Sequence, residues 1–441
     1  MPTTPAVPPA VAGAAHTPRP AVMTGPLAAL AALAALLNYA LWHGRSQPDD
    51  FASLWGGALL VARGQADHLY DFDPQDFSAW SGPAWAQIIP ELTTPFPHPY
   101  VHLPALAGAL APLTRVMSFA TAVDALILAS GAATVVLVAA AVRLWTGRPC
   151  PTAPAALATV ALLLSTPVAL GTWIGQTTAL ILAAVAYGLA APHRRWWLAG
   201  PVLGVAAAIK LTPLAVIAAM IFFPTHRRTG LAAAATAGLA GLASLAVGGV
   251  SVCTAWVAAV RRVGALVPVN PVNQSVHSVL AQARGVLADA GADVVSPTVP
   301  AAGAGQALAL ALAGVLAAAI AAAAWTLPAW RYPVIMTGAL IVPMACASIL
   351  WTHYLSVVVV PLAALAALPL RPRWRGALIT ASAGLCALAY PPFSAAVGAP
   401  LPAPGVVDGG GLGMLLGVLA VWLCALAGAS GWPARSRHHR R

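Results

Sequence analysis

Charge is what this chain is short of. Only 7% of its 441 residues are charged, 60% are hydrophobic, and the mean hydropathy is +0.82. A soluble domain cannot cover its surface with so few charges, so a water-exposed globule is excluded. Lysine is nearly missing: Lys210 is the single one, and Arg carries positive charge elsewhere. Of the carboxylates, Asp124 alone falls inside an expected span. That leaves no chain of buried acids such as a proton-coupled transporter uses. The five cysteines, Cys150, Cys253, Cys346, Cys386 and Cys424, are scattered without a Cys-x-x-Cys. Neither a disulfide framework nor a zinc site is indicated. There is no Walker motif. Asp408-Gly-Gly-Gly-Leu-Gly lacks a preceding strand, which argues against a dinucleotide site.

What the chain does have is a succession of apolar segments rich in Ala, Leu, Val and Gly. That composition suits helices packing in lipid and not the alternating strands of a barrel. The fold class read from it is an all-α polytopic membrane protein. Apolar length predicts twelve spans, at 22–43, 119–142, 155–171, 176–191, 197–211, 213–224, 230–252, 307–325, 333–350, 354–370, 376–390 and 411–428. The stretch 102–116 would be about 22 Å long as a helix, short of a hydrocarbon core of about 30 Å, and is read as re-entrant or interfacial. The Val22–Trp42 run is long for a cleavable signal and lacks a clear cleavage site, so it is read as a retained first helix.

Net charge is +11, gathered in short clusters: Arg143 and Arg148, Arg194 and Arg195, Arg227 and Arg228, Arg371 to Arg375, and the tail from Arg435. With twelve spans every cluster falls in the cytoplasm, as the positive-inside rule requires. This is a membrane signature, and no nucleic-acid partner is expected. Residues 1–21 are expected to be a disordered cytoplasmic tail, 22–430 the membrane domain, and 431–441 a basic cytoplasmic tail. Two long loops, 44–101 and 253–306, are placed on the exoplasmic face.

Seven of the eleven carboxylates sit in the first of these loops: Asp49, Asp50, Asp67, Asp71, Asp73, Asp76 and Glu91. Asp50 opens a segment with apolar residues at 51, 54, 55, 58 and 59, the spacing of a helix lying on the membrane surface. A carboxylate at that boundary beside a second one suits a general base. The competing reading is that Asp49 or Asp50 caps the helix. A lone ammonium at membrane depth, Lys210, calls for an anionic partner, unless it snorkels at a helix end. Gln176 and His353 lie at breaks between apolar segments, and His98 and His102 close the acidic loop. The twelve-span topology brings Asp50, Gln176, Lys210 and His353 to one exoplasmic face.

Four stretches in order carry a resemblance. They are Asp50-Phe…Trp55…Ala58-Leu-Leu…Gly64…Leu69-Tyr70-Asp71, then Gly175-Gln176, Gly200…Gly204…Lys210-Leu-Thr-Pro213, and Trp351-Thr-His353-Tyr354. Together they resemble glycosyltransferase family 87, membrane enzymes of the GT-C fold that use polyprenyl-phosphate sugars. That family includes a mycobacterial mannosyltransferase of phosphatidylinositol mannoside synthesis. The chain departs from the family at Phe96-Pro97-His98-Pro99-Tyr100, where a Tyr-Pro-Pro is usual, and in a longer insert near 72–94. The resemblance implies a GT-C-like fold of about twelve helices with a long exoplasmic first loop, in the cell membrane. It implies an inverting hexosyltransferase with Asp50 as general base. Lys210, His353 and Gln176 would contact the donor phosphate, with Asp49, Trp55, Tyr70, His98 and Tyr354 in support. No cofactor is expected and no metal site is indicated, although the seven clustered acids could in principle hold a divalent ion. The expected partners are a polyprenyl-phosphate sugar (mannose, another hexose or arabinofuranose), a lipid or glycan acceptor, and membrane lipids. The rival from another class is a transporter or lipid flippase, which would show inverted repeats and intramembrane acids. Neither is evident.

Overall fold

A computed structural model describes residues 22–71, 82–94, 98–286, 297–389 and 408–430. The two expected tails, the part of the acidic loop with Asp73 and Asp76, and most of the stretch between the last two expected spans lie outside the described residues. The described chain is almost entirely helical, with one two-stranded antiparallel pair, β1 (Leu266–Pro268) and β2 (Thr298–Pro300).

Among the described residues, six helical segments are long and apolar enough to cross a membrane: Gly25–Trp42, Phe119–Thr146, Leu245–Ala265, Gly303–Thr326, Pro328–Cys346 and Gly410–Ser430. A seventh is the pair Thr152–Leu163 and Thr166–Trp173, bent by 61° at the break. The expected twelve are therefore not reached by length. Several predicted spans are shorter or broken. Leu214–Ile221, for example, has eight residues, about 12 Å of helix. The stretch after residue 102 is a seven-residue helix followed by a five-residue 3₁₀ turn, in keeping with its reading as non-spanning.

In chain order, the elements that build the site begin with α1 (Gly25–Trp42) and α2 (Asp49–Ala62). They continue with α3 (Pro83–Ile88), α4 (Pro104–Leu110), α5 (Phe119–Thr146), α6 (Thr152–Leu163), α7 (Thr166–Trp173), α8 (Thr178–Ala190) and α9 (Trp196–Ile209). Then come α10 (Leu214–Ile221), α11 (Arg227–Ala243), α12 (Leu245–Ala265), α13 (Val276–Ala283) and α14 (Gly303–Thr326). The central helix α5 packs against α1 on one side and α8 on the other. Small residues allow close approach, as lipid-embedded helices require. Gly131 of α5 lies against the backbone of Ala34. Gly200 and Gly204 of α9 face the α11 backbone so closely that a Cβ at either would meet it at 2.9 Å or less.

Two expectations about the loops are corrected. The helix from Asp49 does not lie on a surface with one dry face. Ten of its fourteen residues are buried, on several sides at once. It is roofed by Trp85, Ile88 and Leu92 and by Tyr100, with Gly56 and Gly57 giving those rings room. The loop thus has its own hydrophobic core. Second, the expected 230–252 span is two helices, α11 and α12, and α12 continues to Ala265, well inside the expected second loop. Gly248 and Gly249 depart from helical geometry, with Gly249 at φ +68°, so the chain kinks there and redirects α12 across α4.

Candidate active site

The N-terminus of α2 is fastened to the turn after α7. Gln47 N–H donates to Trp173 O at 2.8 Å and Asp50 N–H to Ile174 O at 3.0 Å. Gly175 makes the turn at φ +72°, and a Cβ there would stand 2.8 Å from Phe51 Cβ and 3.0 Å from Pro48 Cβ. Only glycine meets both demands without strain. The turn closes with Gln176 N–H donating to Gly171 O at 2.7 Å, which aims the Gln176 side chain at Asp50.

The reading of Asp49 or Asp50 as a helix cap is not realised. The cap position is Pro48, no side chain caps the helix, and both acids sit in its first turn. They are used differently. Asp49 is buried and accepts the Thr94 hydroxyl. Asp50 Oδ2 accepts from Gln176 Nε2 at 2.6 Å, and its Oδ1 lies 3.7 Å from His98 Nε2.

Lys210 is placed by a broken helix. Pro213 cannot continue α9, and Lys210 itself is extended at φ −138°, ψ 135°. Its ammonium donates to Gln176 Oε1 at 2.7 Å, Thr178 Oγ1 at 3.2 Å and the Tyr354 hydroxyl at 3.3 Å, and stands 4.5 Å from the Tyr354 ring centre. One amide therefore joins the carboxylate to the ammonium and keeps them from pairing directly. Tyr354 is held by the 348–354 segment, which is stitched to the second loop: Gln274 N–H donates to Leu350 O and Thr352 N–H to Val272 O.

These groups line a cavity of about 80 Å³ with Asp50, His98, His102, Gln176, Lys210 and Tyr354 in its wall. It shares Val101, His102, Lys210 and Tyr354 with a mostly apolar groove of about 260 Å³, which continues along α12 past Trp256 and Val260. His102 donates from Nδ1 to Ile209 O at 2.8 Å. Burial pushes its imidazole down to about 4, outweighing the opposite pull of that carbonyl, with the Lys210 charge adding to the fall.

The remaining expected site residues lie nearby in other roles. His353 does not line the Asp50 cavity. It is 2% exposed, edge-on to Tyr354 with ring centres 4.6 Å apart. It borders a small separate cavity behind Gln176 and Thr178, among Ser130, Thr172 and Ser356. Trp55 is buried in the loop core against Phe51. Tyr70 packs on Tyr100 and donates its hydroxyl to His102 O at 2.7 Å, bracing the segment that carries His102. His102 and Thr178 are the site residues that sequence reading undervalued. The pairing of His98 with His102 at the end of the acidic loop was the available signal for the first. Thr178 had none.

Of the seven clustered acids, the five among the described residues are not gathered around one point but spread over separate partners. Asp49 goes to Thr94 and Asp50 to Gln176. His68 takes Asp71 at 2.7 Å, with Asp67 at 3.7 Å, and Glu91 takes Arg63.

No curated protein and no solved structure matches the chain. The glycosyltransferase family 87 profile matches residues 100–344, more than half of the sequence. Gln176 and Lys210 fall inside that stretch, while Asp50 precedes it and Tyr354 follows it. A helical membrane protein with a match of this extent belongs to glycosyltransferase family 87.

Proposed function

We propose that the protein transfers a sugar, in the first instance mannose, from a polyprenyl-phosphate donor to a lipid or cell-envelope glycan acceptor. Transfer takes place at the exoplasmic face of the cell membrane. Asp50 acts as general base. The free face of its carboxylate takes the proton of an acceptor hydroxyl as that oxygen attacks the anomeric carbon. The donor's bond to phosphate oxygen breaks on the opposite side, so the configuration inverts, by the same carboxylate logic that governs glycosidases. The departing lipid phosphate needs a cation more than a proton, and Lys210 supplies it. Gln176 is the spacer that holds the two apart, and Tyr354 and Thr178 steer the ammonium. His102, neutral, accepts a substrate hydroxyl. His353 supports Tyr354 from behind. The apolar groove beside Lys210 takes the first isoprene units.

The observation that carries this reading is the Asp50–Gln176–Lys210 bridge. A direct ion pair would occupy both the base and the cation. The amide takes one polar contact from each, so the base keeps an oxygen for the acceptor and the ammonium can exchange its longer bonds to Thr178 and Tyr354 for a phosphate oxygen. The test is Asp50→Asn, assayed with labelled polyprenyl-phosphate mannose and extracted lipids in the presence and absence of a chelator. Loss of a positioned base lowers turnover by about 10²–10⁴-fold. Asp50→Asn protein with wild-type turnover would sink the assignment.

A further inference from the structure

We propose that the end of the bundle opposite the Asp50 cavity carries a docking surface for acidic phospholipid headgroups. The chain separates its charges by sign. No Asp or Glu occurs between residues 125 and 288 or between 294 and 407. Two helices show which end this leaves without acids. Asp124 stands near the start of α5, close to the Phe51–Phe119 stack, and Arg143 lies nineteen residues on, about 28 Å along the axis. Likewise α9 runs from Arg195 at one end to Lys210 at the other, about 20 Å away.

Three connections meet at the acid-free end, and one tyrosine pins them. They join α8 to α9, α10 to α11, and α14 to α15 (Arg331–Cys346). Tyr332 stacks on His226 of the second connection, with ring centres 3.9 Å apart and planes 13° from parallel. Its hydroxyl donates to Leu189 O, at the end of α8, at 3.1 Å. Burial lowers the His226 imidazole to about 4, and the charge of His193 in the first connection is near enough to add to the fall. These contacts draw Arg194, Arg195, Arg227, Arg228 and Arg331 to one face. All five are exposed, and none forms an ion pair with a carboxylate among the described residues. Arg227 and Arg331 are anchored by their inner nitrogens: Nε donates to Ile221 O at 3.0 Å in one and to Ala324 O at 3.2 Å in the other. The outer nitrogens, the fork that grips a phosphate, have no partner among the described residues.

Aromatic side chains put this face at headgroup depth. Trp325 is 82% exposed, Phe222 81% and Trp197 61%. Large rings left bare at the ends of apolar helices belong to the bilayer interface. A cluster of cations held at that depth, with no acid from its own chain, repels itself. The phosphates of acidic lipids are the counter-charge that the fold omits. Bound there, they tie the three connections together at the far end of the helix that leads to Lys210. A soluble polyanion meets the cations alone, whereas a lipid covers the rings as well. The proposal does not depend on the transferase reading, and its test requires no turnover.

The full chain is placed in nanodiscs of equal parts phosphatidylglycerol and phosphatidylcholine, and the lipids it retains on release are read by native mass spectrometry. The expected result is enrichment of phosphatidylglycerol by about tenfold or more, since each guanidinium near an acidic surface is worth about fivefold. Arg194→Gln with Arg228→Gln returns retention close to the bulk ratio. Arg194→Lys with Arg228→Lys, which keeps the charge, preserves the enrichment. Arg261→Gln with Arg262→Gln, an exposed pair on α12 outside the patch, leaves it unchanged. Because loss of arginines can disturb insertion, the wild type alone is also run in about 1 M salt, where the Debye length is about 3 Å and the enrichment disappears. Wild-type retention at the bulk ratio, the outcome if the cluster serves an acidic protein instead, overturns the proposal. Enrichment that survives either the glutamine pair or the salt overturns it too.

Discussion

Replacing Gln176 with methionine removes the amide and nearly keeps the volume. The wild-type side chain gives Asp50 its donor at 2.6 Å and takes one of three Lys210 bonds at 2.7 Å. Lys210 retains Thr178 and Tyr354, so its loss is partial. The net penalty is then close to that of one hydrogen bond to a charged group, about 1.5–3 kcal/mol. If that bond is needed in the transition state, kcat/KM falls by about 10–150-fold. A second effect has the same sign: with the spacer gone, Lys210 can swing onto Asp50 and neutralise the base. The assay is initial-rate transfer from polyprenyl-phosphate mannose in nanodiscs, with the melting temperature as a check on folding. A double-mutant cycle with Asp50→Asn isolates the coupling. The methionine change should cost far less in the Asp50→Asn background, because the group it positions is already disabled. A Gln176→Met enzyme within about threefold of wild type, or full additivity with Asp50→Asn, would refute the bridge as the organising element of the site.

Three further outcomes follow from the geometry. Gly175→Ala introduces a Cβ at φ +72° and 2.8 Å from Phe51, so it lowers stability by about 1–3 kcal/mol and reduces transfer by displacing Gln176; unchanged melting and rate would contradict the account of this turn. The side-chain hydrogen bond to Asp71 raises the His68 imidazole above its ordinary range, partly opposed by desolvation and helped by the Asp67 and Asp71 charges. A raised folded value means that this pair's stabilisation is fully present below the ordinary imidazole value of about 6.5 and fades as pH rises through the raised one. Asp71→Asn should bring the His68 titration, followed by NMR, back down; no movement would remove the pair as the cause. Gln87→Cys, on the exposed side of α3, should label with an impermeant maleimide in intact cells, and protection would reverse the membrane side assigned to the first loop.

The membrane class, the helical fold and the helices at 119–146, 303–326 and 410–430 were legible because long apolar runs announce themselves. The meeting of Asp50, Gln176 and Lys210 was legible in the sequence, with His353 expected as the fourth member; the structure puts Tyr354, expected only in support, in the cavity wall in its place. Other features depended on partners that no local pattern reveals. Residues 51, 54, 55, 58 and 59 read as one apolar face, but α2 is buried almost all round because Trp85, Leu92 and Tyr100 come back over it. Gly248 and Gly249 looked like ordinary small residues of a span, and they are the kink that turns α12 aside. His353 stands next to Tyr354 in sequence, yet in a 3₁₀ turn the two side chains diverge, one into the cavity and one behind it.

The break after α9 has an effect on the hydrogen inventory of the site. An unbroken helix would direct the Ile209 carbonyl to an amide one turn on, and here it takes the proton on His102 Nδ1 instead. That fixes which tautomer the neutral ring adopts and leaves its other nitrogen as an acceptor. With Asp50 alongside, two of the groups nearest the reacting space are short of protons. A guest built from carbonyls or ethers would leave both unsatisfied, whereas one bearing several hydroxyls supplies what the wall lacks. In the proposed reaction, the rung missing from this helix is what makes the wall suited to a polyol.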